Sequence, residues 1–302
     1  MNLLHFNKFQ NYFNDQLPIL LKKYVQSDKV IERINYSLKG GKRLRPVIAL
    51  DLCQTLCQDK KKGLLMAFGI ELIHTASIIL DDMPCMDDDH YRRGKESFHI
   101  KYNTNEAQII STLLMEIAYK MFYQHFSENS LILSTMFDLI SKNLGINGIA
   151  HGQYMDLAKL DIGDNKESVK KKLDKNTLKQ LLNQKTTTLF EIAFTGGYLS
   201  GSNNIKDIPK IQEASEHFGL AFQIYDDFDD IEQDKKRLDI NITDPNYVNN
   251  LGIKVAEKDF NDHIDQFDKL MTELNIHSTI LKELTNYLSN KVNQKIKNIT
   301  NN

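Results

Sequence analysis

The sequence predicts an all-α protein, and three observations support that prediction. The 302 residues contain only 14 glycines and 5 prolines, and so few helix breakers favour long helices over a turn-rich sheet protein. Apolar residues recur at the helical spacing of three and four residues in most segments of the chain. The apolar–polar alternation of strands bounded by turn residues is missing, so we expect no parallel sheet.

Six long segments are examples of this helical periodicity. In chain order these are residues 64–80, 109–126, 131–144, 178–199, 211–228 and 255–274. The polar stretches between helical segments are residues 58–62, 161–175, 202–207 and 233–246. Each is short enough for a loop between helices rather than a linker between domains. We therefore expect one domain over residues 1–302, folded as a single large helical bundle.

Charge, cysteine content and hydropathy exclude several classes of protein. The formal net charge is -2, so the chain has no general attraction to nucleic acid. Cys53 and Cys57 lie one helical turn apart and suit buried thiols in a reducing cytosol, and three cysteines cannot build a disulfide framework. We find no secretory leader pattern and no apolar run near the ~20 residues that span a membrane. We expect a cytoplasmic protein without a nucleic-acid partner or a transmembrane segment.

Two clusters of aspartates carry the clearest chemical signal. Their members are Asp81, Asp82 and Asp87 in the first cluster and Asp226, Asp227 and Asp230 in the second. Each cluster follows an apolar helical run, where like charges repel one another and the helix C-terminus is itself partly negative. A cation is therefore expected at each cluster. Carboxylate oxygens are the ligands that hard divalent cations prefer.

The spacing within each cluster suits a metal ion. Asp226 and Asp230 are four residues apart and share a helix face. Asp87 lies six residues after Asp81, which is about 240° around an ideal helix. Pro84 lies between them, and we expect it to end the helix and fold Asp87 back towards Asp81. An EF-hand is excluded, because the cluster lacks the central glycine and the glutamate at position 12.

Basic residues accompany the acidic clusters. Residues 40–46, here named the 40–46 loop, place Lys42, Arg43 and Arg45 after two glycines, and such side chains can grip a phosphate. His74 lies two helical turns before Asp81, on the same face. The remaining polar candidates are Arg92 and Arg93 after the first cluster, Lys185 and Thr186 at the start of an apolar helix, and Gln223 one turn before Asp227.

Together these residues resemble the all-trans polyprenyl diphosphate synthase family, in its short-chain group. The two clusters are similar to that family's first and second aspartate-rich motifs, and the 40–46 loop resembles its isopentenyl diphosphate loop. Further blocks in the family's order are residues 71–74, Gly152-Gln153 with Asp156, Lys185-Thr186 and residues 219–227. Residues 76–88 are most similar to the carotenoid-pathway geranylgeranyl diphosphate synthases. The resemblance implies the isoprenoid synthase type fold, a helical bundle around a deep central cavity with both motifs facing each other across its mouth.

The resemblance also implies a role for each candidate residue. Metal binding falls to Asp81, Asp82, Asp87, Asp226, Asp227 and Asp230, which would hold about three magnesium ions, with manganese as an alternative. Arg92 and Lys185 would assist in binding the allylic diphosphate. Isopentenyl diphosphate would be held by Lys42, Arg45, His74 and Arg93. Thr186 and Gln223 would line the site where the allylic cation forms. The family is usually homodimeric, so a homodimer is expected here.

Small side chains before the first motif bear on product length. Ala76 and Ser77 lie five and four residues before Asp81, about 6–7.5 Å along the helix. Bacterial farnesyl diphosphate synthases of this family often carry a bulky aromatic there, which limits the product to fifteen carbons. We therefore expect elongation to geranylgeranyl diphosphate, with farnesyl diphosphate as the alternative.

Some positions depart from the family pattern, and two other functions stay open. Ser111-Thr112 and Asn103-Thr104 replace common Gly-Asp and Gly-Glu pairs, and Asp244 stands where a second lysine is usual. A class I terpene cyclase would share the metal-triggered ionisation but would lack the 40–46 loop. A non-catalytic regulatory subunit of a prenyl synthase should have eroded acidic clusters, whereas both are intact here.

Overall fold

A computed structural model describes residues 3–145, 148–160, 175, 178, 182, 187–234 and 246–300. Its helices, numbered among the described elements, are α1 (Leu4–Tyr24), α2 (Asp28–Leu38), α3 (Leu44–Cys57), α4 (Leu64–Asp81), α5 (Phe98–Lys101), α6 (Thr104–Phe126), α7 (Ser130–Leu144), α8 (Ile149–Leu160), α9 (Thr188–Gly201), α10 (Ile208–Asp234), α11 (Tyr247–Leu251), α12 (Ile253–Glu273) and α13 (Thr279–Thr300). A short 3-10 turn, Ile205–Asp207, precedes α10. The all-α fold class is confirmed.

In the part of the chain that the structure describes, a small β-hairpin lies between the helices. Strand β1 (Tyr91–Arg92) pairs antiparallel with β2 (Lys95–Glu96), with Arg92 opposite Lys95. The two turn residues between them, Arg93 and Gly94, both have positive φ angles, 55° and 74°. Such a turn matches the right-handed twist of the strands, and it fixes where Arg92 and Arg93 project. Sequence periodicity misses this hairpin, because two residues are too few to show alternation.

The described residues form two compact units. The N-terminal unit contains residues 4–136 and 196–203, and the C-terminal unit contains the described residues between 137 and 195 and between 204 and 300. Helix α9 contributes to both, with residues 188–195 in the C-terminal unit and 196–201 in the N-terminal unit.

The N-terminal unit is built around α4, which packs against α3 and α6. Close approach of α4 and α6 depends on Gly69, because a Cβ atom there would lie 2.3 Å from Cε1 of Phe122. Phe122 is fully buried in this contact. Burial of such apolar area stabilises a fold by roughly 25 cal/mol per Å². Helix α4 is therefore a fixed support for the aspartates at its C-terminal end.

The C-terminal unit is built around α10, which packs against α12 and α13. Aromatic rings fill this core: the Phe218 ring centroid lies 5.3 Å from Phe190, 5.4 Å from Phe194 and 5.3 Å from Phe267. Such ring pairs contribute about 0.5–1.5 kcal/mol each beyond their buried area. The second aspartate cluster lies on this same helix, two to three turns after Phe218.

Among the described helices, α4 is long and apolar enough to cross a membrane, judged by length and composition alone. It has 18 residues, and 61% of them are buried inside the protein. A core helix of a soluble protein passes the same test, and α4 packs as a core helix does.

Candidate active site

The first aspartate cluster begins where α4 ends, at Asp81. The backbone N–H of Asp87 donates to the carbonyl oxygen of Asp81 at 2.9 Å, and that of Asp88 donates to Met83 at 3.1 Å. The chain after Pro84 therefore turns back on the helix end, as the sequence predicts. This turn returns Asp87 to the level of Asp81.

Arg92 is bound to the first cluster. Its Nε donates to Oδ1 of Asp82 at 2.8 Å, and its Nη2 lies 2.6 Å from Oδ2 of Asp89. Asp82 is buried, and burial raises the pKa of its carboxyl, while the hydrogen bond from Arg92 opposes that rise. The two residues were expected to serve different partners, a metal ion and a diphosphate. In this structure they neutralise each other, so Arg92 would have to exchange Asp82 for a diphosphate to play its predicted part.

A cationic cluster surrounds His74 on α4. Nη1 of Arg45 lies 3.4 Å from Nε2 of His74. Burial lowers the pKa of His74 well below its ordinary value, and the charges of Arg45, Arg93 and Arg43 lower it further. His74 is therefore neutral at pH 7, and its Nε2 accepts a hydrogen bond from Arg45. The structure brings three of the four predicted isopentenyl diphosphate residues together, and the fourth, Lys42, is exposed.

Arg43 of the 40–46 loop has a different position from its basic neighbours. It is buried with a left-handed backbone (φ 57°), and Nη1 donates to Oε1 of Glu71 at 2.5 Å. Nε donates to Asn14 at 2.9 Å and Nη2 to the carbonyl of Leu38 at 2.5 Å. Arg43 thus ties the loop to the core and does not offer a free guanidinium to a ligand. The sequence feature that could have predicted this buried pairing is Glu71, an acidic residue within an otherwise apolar helical run.

Lys95 is a neighbour that the sequence reasoning missed. It lies opposite Arg92 in the hairpin, and its ammonium group donates to the carbonyl of Tyr36 and sits 4.0 Å from the centroid of that ring. Burial lowers the pKa of Lys95, and the nearby charge of Arg93 lowers it further. The hairpin therefore presents three cations, Arg92, Arg93 and Lys95, beside the first cluster. The pattern Arg-Arg-Gly-Lys, read as a hairpin turn, would have predicted this.

The second aspartate cluster lies on α10. Asp226 is half-buried, and Asp227 is only 3% exposed. Nε2 of Gln223 donates to Oδ1 of Asp227 at 2.7 Å, as their spacing of one turn predicts. The neighbouring Asp229 pairs with Lys295 on α13, with 3.1 Å between Oδ1 and Nζ. Only the backbone of Asp230 is described.

Several predicted residues lie outside the described part of the chain. They are Lys185, Thr186 and Asp244. Their roles stay predictions, as do the arrangement of the two clusters across one cavity mouth and the homodimer.

The donor set of the clusters fits magnesium. Among the residues that the structure describes, no three His, Cys, Asp or Glu side chains converge on one metal position. Magnesium is commonly held by one or two carboxylates together with substrate phosphate oxygens and water, without a cage made only of protein ligands. Aspartates at the end of α4 and on α10 offer carboxylate oxygens of the kind that this mode uses.

The chain is similar to known proteins over most of its length. The family described as "Polyprenyl synthetase" matches residues 27–263. The farnesyl diphosphate synthase of Micrococcus luteus is 31% identical over 288 residues, which is 93% of this chain and 94% of that protein. Geranylgeranyl pyrophosphate synthase 11 of Arabidopsis thaliana is 30% identical over 213 residues, 68% of this chain and 57% of that protein.

Solved structures share the fold. A geranyltranstransferase of Thermotoga maritima superposes with a TM-score of 0.76 at 26% identity, over 96% of this chain and 99% of that one. The geranyltransferase of Helicobacter pylori, complexed with magnesium and isoprenyl diphosphate, has a TM-score of 0.73 at 22% identity, over 99% and 98% of the two chains.

Proposed function

We propose, from the premise that this chain belongs to the polyprenyl synthetase family, that it joins isopentenyl diphosphate to allylic diphosphates. Its class is that of the short-chain trans-prenyltransferases. The allylic substrates would be dimethylallyl, geranyl and farnesyl diphosphate in turn. The reaction proceeds by ionisation, condensation and elimination.

One observation carries the proposal. Helix α4 holds a cationic cluster around His74 and ends, two turns later, in a turn of aspartates at Asp81. The two sites are about 10 Å apart along the helix axis. A diphosphate bound directly by basic side chains and a second diphosphate bound through metal ions would then lie side by side. A condensing enzyme needs two such substrates in one site.

The protein's residues have distinct tasks in this reaction. Lys42, Arg45 and Arg93 neutralise the isopentenyl diphosphate, and neutral His74 orients Arg45. Arg92, together with Lys185, stabilises the negative charge that grows on the leaving diphosphate. Aspartates from each cluster, Asp81 and Asp226 among them, would hold magnesium against that diphosphate. Bound magnesium supplies Lewis-acid stabilisation of the leaving group.

The two substrates supply all the electrons for the bonds that form in this reaction. The bond between C1 of the allylic chain and the diphosphate oxygen breaks, and its electron pair leaves with the diphosphate. The isopentenyl double bond then attacks C1, and the released diphosphate takes a proton from C2 of the isopentenyl unit, whose C–H electron pair forms the new double bond. Thr186 and Gln223 would line the site where the cation forms, and water must be excluded there.

Product length is the finer part of the proposal. Ala76 is fully buried and Ser77 donates to the carbonyl of His74 at 3.0 Å, so neither puts a bulky group beside α4. We propose geranylgeranyl diphosphate as the product for this reason. Farnesyl diphosphate is the second candidate, because relatives from Micrococcus luteus and Bacillus subtilis carry that name.

The remaining expectations belong to the same proposal. The enzyme would work in the cytoplasm, as one polyprenyl synthase domain and as a homodimer. A regulatory subunit or a terpene cyclase would give a different outcome in the assay below. The former would show no turnover, and the latter would release diphosphate without isopentenyl diphosphate.

The test is transfer by the purified protein. Incubation with dimethylallyl and isopentenyl diphosphates in magnesium should release diphosphate only when both substrates are present, and a chelator should stop this reversibly. Asp81→Ala or Asp226→Ala should lower turnover by several orders of magnitude, since each weakens metal binding at the ionisation step. Asp138→Ala, an exposed acid on α7, is the matched control. Near-normal turnover of Asp226→Ala would contradict the assignment.

A further inference from the structure

Asp226 and Asp227 are adjacent on α10, but their surroundings differ. Asp226 is half-buried, whereas Asp227 is 3% exposed. Oδ1 of Asp227 accepts from Nε2 of Gln223 at 2.7 Å, and Oδ2 accepts from the backbone N–H of Tyr247 at 2.6 Å. Nδ2 of Asn246 donates to the carbonyl oxygen of Asp227 at 3.1 Å. Both the side chain and the backbone of Asp227 are therefore bound to the start of α11.

The start of α11 is itself firmly held. Oδ1 of Asn246 caps the helix by accepting from the N–H of Asn249 at 2.9 Å. Tyr247 is fully buried, and its hydroxyl donates to Oδ2 of Asp259 on α12 at 2.6 Å. Asp259 in turn forms an ion pair with Lys175 at 2.6 Å. A continuous chain of hydrogen bonds thus joins α10 to α11 and α12 through Asp227.

We propose that Asp227 is a positioning residue, which fixes the rotation of α10 and so directs the Asp226 carboxylate, and that it does not itself bind the metal ion. Successive residues of a helix differ in direction by about 100°. When Asp227 is held against α11, Asp226 is directed away from that contact. The inference rests on the proposed function, because that function assigns Asp226 to the metal ions.

The variant Asp227→Asn distinguishes a positioning residue from a metal ligand. The amide oxygen of Asp227→Asn can still accept from the N–H of Tyr247, and the Gln223 amide can rotate so that its oxygen accepts from the new NH₂ group. The variant loses the negative charge that a magnesium ligand supplies. Asp227→Ala loses both the charge and the contacts.

Two measurements then test the proposal. The first is hydrogen exchange of the Tyr247 amide in the metal-free protein. The second is the dissociation constant of Mn²⁺ in the presence of inorganic diphosphate, from the paramagnetic resonance signal of the free ion. Asp227→Ala should lower the protection of the Tyr247 amide by at least about tenfold, because that amide loses its hydrogen bond to a charged carboxylate. It should also weaken Mn²⁺ binding by about tenfold. Asp227→Asn should keep both within about threefold of the wild type.

Neighbouring acids supply the controls. Asp229→Asn removes the same charge two residues along α10, from a carboxylate paired with Lys295, and should change neither quantity by more than about twofold. Asp226→Asn should weaken Mn²⁺ binding and leave the Tyr247 amide protected.

Two results would overturn the inference. Equal weakening of Mn²⁺ binding in the Asn and Ala variants, with the amide still protected in the former, would make Asp227 a ligand. Unchanged Mn²⁺ binding in Asp227→Ala would leave it a purely structural contact. A wild type that binds Mn²⁺ with diphosphate but transfers no prenyl group would refute the proposed function and leave this inference standing.

Discussion

Three basic side chains of the 40–46 loop have the same charge but different surroundings. Lys42 is exposed, Arg45 faces His74, and Arg43 is buried against Glu71. Gly41 makes room for that buried pair, because a Cβ atom there would lie 2.3 Å from Nη1 of Arg43. The loop is therefore partly a structural anchor and partly a binding surface.

Removal of Arg43 should destabilise the fold. Arg43→Ala would leave the buried Glu71 carboxylate without its ion-pair partner. Breaking a buried ion pair in this way lowers the free energy of unfolding by about 3–5 kcal/mol, and we expect a loss of that size here. Urea denaturation measures the change. Lys42→Ala, at an exposed position, should change stability by less than about 0.5 kcal/mol. A loss below about 1 kcal/mol in Arg43→Ala would show that Glu71 finds another partner.

Removal of Lys42 should act on substrate binding. Lys42→Ala should raise the KM for isopentenyl diphosphate by about tenfold and leave kcat near the wild-type value, because a contact made equally in the ground and transition states affects binding alone. Steady-state kinetics at saturating allylic substrate measure the change. Lys61→Ala, another exposed lysine, is the control. An equal fall in kcat would move Lys42 into the chemical step.

The sequence predicts some of these residue positions but not all of the contacts that the side chains make. Charge and spacing predicted a basic loop, a histidine two turns before Asp81 and a turn that folds Asp87 back, because these follow from helix geometry and from proline chemistry. They did not predict the inward turn of Arg43 or the pairing of Arg92 with Asp82. Those contacts depend on a left-handed residue and a hairpin that only tertiary packing selects.

At the scale of helices, a half-buried histidine joins α6 to α9. Nε2 of His125 lies 2.7 Å from Oγ of Ser200, whose own proton goes to the carbonyl of Gly196 at 2.6 Å. His125 must therefore donate from a neutral ring. Burial lowers its pKa to about 4 from the ordinary 6.5. The unfolded chain takes up this proton at higher pH than the folded protein does.

This difference predicts a loss of stability in acid. Stability from His125 is complete above pH 6.5 and falls as the pH drops towards 4, because the unfolded state binds more protons in that window. The shift corresponds to about 2 kcal/mol between pH 7 and 5. His125→Gln can still donate to Ser200 but does not titrate, so its free energy of unfolding should fall less over this range. Parallel slopes for the two proteins, from urea denaturation at several pH values, would contradict the assignment.

For the whole molecule, the pattern of the sequence was sufficient for the fold class. Few breakers and a helical period predict α4, α6 and α10 with their apolar faces, since those faces are set by local spacing. The division into two compact units was not visible, because it depends on which helices contact each other and not on their periods. Helix α9 shows this, since one continuous apolar segment contributes residues to both units.

Product length is a property of the whole molecule, because the growing chain must be accommodated along the length of α4. Ala76 lies about 7.5 Å from Asp81 along the helix axis, and Gly69 lies about 18 Å from Asp81, at the point where Phe122 packs against Gly69. Small residues near the metal site and an aromatic ring two turns deeper suit a twenty-carbon chain better than a fifteen-carbon one.

The wild type should therefore yield geranylgeraniol after dephosphorylation of its product. Ala76→Tyr should yield farnesol, because a ring at that depth occupies the space of the last isoprene unit, while Ala118→Ser, a buried small residue on α6, should not shorten the chain. Chromatography of the alcohols decides the matter, and farnesol as the sole wild-type product would establish the fifteen-carbon alternative.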